Sequence, residues 1–317
     1  MARSFPRRRA TSDRPTLYQD ITDKIIAELE AGRVPWVQPW ASASAPLQMP
    51  HNAVSGRCYS GINVLILWDA VISRGFSRNA FLTFRQALEL GAHVRKGETG
   101  TTVVYAHRFT PGDERRQAAE EGRAPGTIPF LKRFTVFNLD QCENLPDAYA
   151  IPVAPLSAEE IHPEAEALIA ATGADFRIGG DKAFYDPVGD YIRVPRATRY
   201  FDTVNWHRTA FHELGHWTGH ASRLDRDLVE SFGIEKSARE ELVAEMTSAF
   251  VCAALGIVPT VRHADYIGAW LEVIRGDDRA IVRAASAASK AADYILAFRD
   301  AAQVDARAAA LADRRAA

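Results

Sequence analysis

Apolar residues keep helical spacing through Leu17, Tyr18, Ile21, Ile25, Ile26 and Leu29, and Pro15 and Gly32 frame this stretch as a helix. Val34-Pro35-Trp36-Val37-Gln38-Pro39-Trp40 follows, too rich in proline for a helix or an inner strand, so Trp36 and Trp40 fall on a loop. A second helix, N-capped by Asn63, is expected to end near Gly75, and a third opens on the Thr83-x-x-Gln86 capping box and stops at Gly91. Alternation then predicts strands at 101–109 and 130–138, paired as a hairpin across a charged, Pro/Gly-rich loop at 111–126.

Beyond a connector at 149–156 the pattern changes. Ser157 and Glu160 form a capping box for a further helix, and short runs at 175–178, 183–186 and 191–194 predict a small antiparallel sheet. A helix begins near Thr203, and another opens on the Ser237-x-x-Glu240 box and reaches about Leu255. The remainder from His263 is helical, with a break at Gly276-Asp277.

The chemistry concentrates on two of these helices. His212-Glu213-Leu214-Gly215-His216 places two imidazoles one turn apart on one helical face, able to grip one metal ion, with Glu213 beside them as general base. Two imidazoles call for a carboxylate as third ligand, leaving a position open for water. Glu241 and Glu245, four residues apart on the next helix, are the candidates: Glu241 as ligand and Glu245 as acceptor from an imidazole N–H, with the reverse assignment open. His220 is the other candidate ligand, but Ser222 stands where the three-histidine zincin pattern has its last histidine. Zinc suits this ligand set best, and manganese can occupy it too. Tyr191, Tyr200, Arg223 and His263 are unranked candidates for stabilising an oxyanion.

Composition adds a charge asymmetry. Of 317 residues 47% are hydrophobic, which suits two packed domains, and the net charge is only −2. Yet residues 1–109 carry 14 Lys+Arg against 8 Asp+Glu, whereas residues 151–317 carry 19 against 25. A basic front half suits nucleic acid. Residues 1–14, with Arg3, Arg7, Arg8, Arg9 and Arg14, read as a flexible basic arm. Trp36, Trp40, Arg57, Tyr59, Arg85, Arg95, Lys96 and Arg108, together with Tyr105, Lys132 and Arg133, interleave cations with aromatics as single-strand binders do; the tryptophans can equally lid a core. Cys58, Cys142 and Cys252 are odd in number and far apart, and are expected in the core. No apolar run spans a bilayer and no secretory signal opens the chain, so a cytoplasmic location without membrane contact is expected.

Several motifs occur together in an order that resembles the ArdC-type antirestriction proteins of conjugative plasmids. They are Val34-Pro35-Trp36 with Pro39-Trp40, Tyr59-Ser60-Gly61-Ile62-Asn63, Thr83 with Gln86-Ala87, Gly91-Ala92-His93-Val94-Arg95-Lys96-Gly97-Glu98, Val136-Phe137-Asn138, the His212 to His220 run, and Glu240-Glu241-Leu242-Val243-Ala244-Glu245. The resemblance covers roughly residues 16–260. It implies an α+β protein with an N-terminal single-stranded-DNA-binding domain, a C-terminal zincin-like (gluzincin-type) metallopeptidase domain, and a role in shielding incoming DNA from restriction. Similar front regions occur in plasmid primases. Phe81 departs from the family pattern, which has tryptophan there, and the 111–126 insert is longer.

The combined expectation is a DNA-binding domain at 15–148 and a metallopeptidase domain at 157–317, with single-stranded DNA and a protein or peptide, such as a restriction component, as partners. The rival expectations are a DNA-coating protein whose metal site is structural or inactive, and a primase-associated accessory protein.

Overall fold

The computed structural model describes residues 17–36, 45, 48–149, 158–200, 202–226, 234–258 and 267–316. The basic arm, Trp40, Ser157, His263 and the side chain of Arg108 lie outside the described residues.

In the front half, α1 (Leu17–Glu30), β1 (His51–Asn52), α2 (Ile62–Arg74), β2 (Ala80–Leu82), α3 (Phe84–Glu89) and β3 (His93–Val94) lead to β4 (Thr101–Phe109). Then come α4 (Gly112–Glu120), β5 (Ile128–Asn138) and β6 (Cys142–Glu143). The sheet order is β1-β2-β5-β4, with β1 and β2 parallel and the rest antiparallel; β3 and β6 form a separate ribbon. The α3 box forms as expected: Gln86 N donates to Thr83 Oγ1 (3.2 Å), and Thr83 N to Gln86 Oε1 (2.9 Å).

Two local expectations need correction. The 111–126 insert is not all loop, because α4 occupies it, held by local pairs such as Arg116 with Asp113 and Arg123 with Glu114. Asn63 is not a cap either: Gly61 takes that place at φ 61°. Asn63 instead donates Nδ2 to the Val104 carbonyl (2.7 Å) and accepts from the Val104 N–H (2.8 Å), satisfying the backbone of a strand at the sheet edge.

In the back half, α5 (Ala158–Ala171) precedes β7 (Asp175–Ile178), β8 (Phe184–Asp186) and β9 (Tyr191–Val194). Helices α6 (Thr203–Trp217), α7 (Ile234–Ala254), α8 (Ile267–Gly276) and α9 (Ala280–Ala316) complete the chain. The small sheet is mixed rather than antiparallel. β8 and β9 make the expected hairpin, but β7 joins the far side of β9 in parallel, after the chain crosses at Gly179 and Gly180 (φ 145° and 80°).

The two halves share one core. Ile21, Ile25 and Leu29 of α1 and Leu65 and Trp68 of α2 cluster with Phe250 of α7, Trp270 and Ile274 of α8, and Ile281 and Ala285 of α9. Thr22 donates to the Asp278 carbonyl (2.7 Å), and Gly61 N to Ser289 Oγ (2.7 Å), tying the same surfaces with polar contacts. Trp36 belongs to this core: fully buried against Trp270, it cannot reach a base, so the lid reading wins over base stacking. Cys142 and Cys252 are buried as expected, whereas Cys58, in the loop after β1, is exposed. Among the described residues no helix is long and apolar enough to cross a membrane.

Candidate functional site

Asp202 caps α6 by accepting from Val204 N (3.1 Å), which fixes the phase of the helix that presents His212 and His216. Their rings lie 5.0 Å apart. Gly215, between them, lets α7 come close: a Cβ there would meet Ala244 Cα at 3.1 Å and the Ala244 carbonyl at 3.3 Å. That approach brings three glutamates of α7 to the imidazoles.

Each carboxylate takes a different place. Glu241 faces both rings, with Oε2 3.4 Å from His212 Nε2 and Oε1 3.6 Å from His216 Nε2. Glu245 lies behind His212, 3.5 Å from its Nδ1, and Glu240 behind His216, 3.4 Å from its Nδ1. Glu240 in turn takes a two-pronged contact from Arg226 (2.7 and 3.1 Å), and Arg226 also donates to the Gly215 carbonyl (2.6 Å) and to Thr218 Oγ1 (2.9 Å). Sequence reading missed this role of Glu240 because it took Ser237-x-x-Glu240 as a cap. α7 begins at Ile234, so Glu240 stands inside the helix.

The electrostatics favour a cation. Burial opposes charge on His216, yet the contact with Glu240 and the charges of Glu241, Glu240 and Glu213 outweigh it and lift its pKa to about 9. Burial likewise opposes charge on Glu240, but His216 and Arg226 hold its carboxyl below the usual range. Glu213 and Glu245 are buried beside these groups.

Ligand atoms of His212, His216 and Glu241 lie within 4.8 Å of one another. With metal bonds of about 2.0–2.1 Å, tetrahedral ligands stand about 3.3 Å apart, close to the Nε2-to-carboxylate separations of 3.4 and 3.6 Å. The donor set and its spacing therefore fit a divalent metal. His220 stands apart, its Nδ1 2.8 Å from Ser222 Oγ. Arg223 grips Asp190, donates to Tyr185 Oη (3.2 Å) and lies 4.1 Å over the Trp217 ring. Tyr191 lies under the Arg177 guanidinium (3.8 Å).

Crystal structures of the antirestriction protein ArdC from plasmid R388 superpose on this fold. The metal-free form has a TM-score of 0.75 at 40% identity, covering 90% of this chain and 98% of that one. The Mn(II)-bound form gives 0.74 at 39%, with the same coverage. The chain belongs to the ArdC antirestriction family.

Its two parts match separate families: residues 15–137 the N-terminal domain of anti-restriction factor ArdC, and residues 163–287 the zincin-like metallopeptidases. The architecture is thus α+β with two domains, joined by the shared core. The uncharacterised protein y4eC of Sinorhizobium fredii is 38% identical over 300 residues, 92% of this chain and 96% of its own. Two DNA primases TraC of Escherichia coli are 38% and 36% identical over 89% of this chain, which spans only 20% and 27% of their length.

In this ArdC-family chain the basic candidates are scattered over several elements. Arg57 is exposed and Tyr59 half-buried in the loop after β1, the latter edge-on to Phe81 (6.5 Å). Arg85 projects from α3 and pairs with Glu89 (2.9 Å). Arg95 is a clamp, held by Glu98 (2.8 Å) and the Asp140 carbonyl (2.6 Å), while neighbouring Lys96 is exposed.

Proposed function

We propose that this chain is an antirestriction protein that holds single-stranded DNA with its front domain and cuts a peptide bond at a metal centre in its back domain. The observation that carries the hydrolytic half is the convergence of His212, His216 and Glu241 on one point, with Glu213 buried next to them. In this reading those three residues hold the metal, zinc by preference for two imidazoles and a carboxylate, with manganese accommodated. That an ArdC relative has been solved in a Mn(II)-bound form supports a divalent ion in this fold.

When bound, the metal supplies Lewis acidity toward the scissile carbonyl and makes water a better nucleophile. Glu213 takes the proton of the attacking water and returns it to the leaving amine. Glu245 and Glu240 hold the imidazoles through Nδ1, which keeps both Nε2 atoms turned toward Glu241. A restriction component in the cytoplasm is the substrate class that joins this chemistry to the family role.

The DNA half is supported by the family, by the likeness to part of two primases and by the surplus of Lys and Arg in residues 1–109. The hydrolytic half is tested by incubating the purified chain with a peptide library and reading products by mass spectrometry, before and after chelation and metal add-back. Cleavage that chelation stops, add-back restores and Glu213→Ala lacks is expected. Identical products from wild type and Glu213→Ala would overturn it.

A further inference from the structure

One face of the β4–β5 hairpin opens to solvent at its described aromatic positions. Residues directly opposed across the pair share a side, so Val103 with Phe134 and Tyr105 with Lys132 line one face, and Phe109 lies on it further along β4. At its root this face is closed, with Val103 and Val136 buried. Further out it opens: Tyr105 is 65% exposed, Phe109 54% and Phe134 41%. The Lys132 ammonium stands 5.1 Å from the centre of the Phe134 ring. Aromatic rings set side by side in water on a regular strand mark a contact surface rather than a core.

Charge narrows the occupant. β4 and β5 carry Arg108, Lys132 and Arg133 and no acidic residue. At the hairpin tip Arg116 pairs with Asp113, and Arg123 with Glu114 and Glu121. Arg133, on the opposite face, pairs with Asp20 (3.3 Å). On the aromatic face Lys132 has its neighbouring ring and no carboxylate on either strand. Flat rings with an adjoining cation are what an unpaired base and its phosphate require.

We propose that this face is the platform on which single-stranded DNA stacks, with Tyr105 and Phe134 as the central rings, Phe109 extending it toward the tip, and Lys132 beside the phosphates. Tyr105 and Phe109 are about 13 Å apart along β4, which sets successive bases along the strand rather than at one point. The platform rests on the reading of this chain as a single-strand binder. Duplex DNA, whose bases are already stacked on each other, gains little from it.

The test is the affinity of the full-length chain for a fluorescein-labelled oligo-dT and for a labelled duplex, read by anisotropy at fixed salt. Tyr105→Ala with Phe134→Ala should weaken single-strand binding roughly tenfold or more, with metal content and melting temperature unchanged, because both rings are solvent-exposed. Tyr105→Phe, which keeps the ring, should bind within about twofold of wild type. Wild-type affinity retained by the double variant would overturn the platform and leave the single-strand reading standing. A wild-type chain that binds no single strand would overturn both. If that chain also self-associates through these two rings in sedimentation, the face is a protein contact instead.

Discussion

Trp36 and Trp270 meet edge to face across the two halves of the chain, ring centres 5.5 Å apart and planes at 60°. One comes from the proline-rich loop after α1 and the other from α8, and both are fully buried. The ArdC-type front part and the zincin-like back part are therefore not beads on a string. Trp36→Ala should cost about 3–5 kcal/mol, and urea unfolding followed by hairpin and metal-helix probes should give coincident transitions at a lower midpoint. Separate transitions would mean that the halves fold independently.

Glu240 and Arg226 orient His216 from behind. Glu240→Ala should weaken metal affinity by about 10–100-fold, and Arg226→Ala should act in the same direction through Glu240. Competitive titration against a chelating dye measures both. Unchanged affinity in Glu240→Ala would show that His216 needs no such support.

The two carboxylates first considered as ligands should separate cleanly. Glu241 faces both Nε2 atoms and Glu245 only a Nδ1, so Glu241→Ala should lose the metal on elemental analysis while Glu245→Ala keeps it with weaker affinity. The opposite pattern would exchange their roles.

Gly215 is where α6 and α7 touch. A methyl group there would press on Ala244 Cα at 3.1 Å and on Thr247 Cβ at 3.3 Å. Gly215→Ala should destabilise the chain by about 1–3 kcal/mol and, by moving Glu241 away from the histidines, lower metal affinity as well. Calorimetry and metal titration read the two effects; normal values for both would mean that the helices have slack at this point.

What the sequence reveals here is what depends on neighbours along the chain. The start of α6 near Thr203, the 101–109 strand and the pairing of His212 with His216 follow from periodicity or a one-turn spacing, and the same spacing picks out Glu241 and Glu245 without deciding between them. What escaped depends on distant partners. Nothing near Trp36 announces that Trp270 will cover it, and nothing near Glu240 announces Arg226 and His216. The parallel pairing of β7 with β9 is a choice between sheet edges that local alternation does not encode. α4 escaped for another reason, since a short helix polar on most faces has no apolar stripe to read.

In the proposed function, hydrolysis at the metal centre, and not coating of DNA alone, gives protection. It is tested most directly by the survival of unmodified plasmid DNA entering a restricting host that carries either the wild-type chain or Glu213→Ala, with metal content and single-strand affinity of both proteins measured alongside. Glu213→Ala is predicted to retain its metal and its grip on DNA while protection falls to the level of a host without the protein. Full protection by a Glu213→Ala chain that is folded, metal-loaded and DNA-bound would contradict the claim and leave coating as the mechanism.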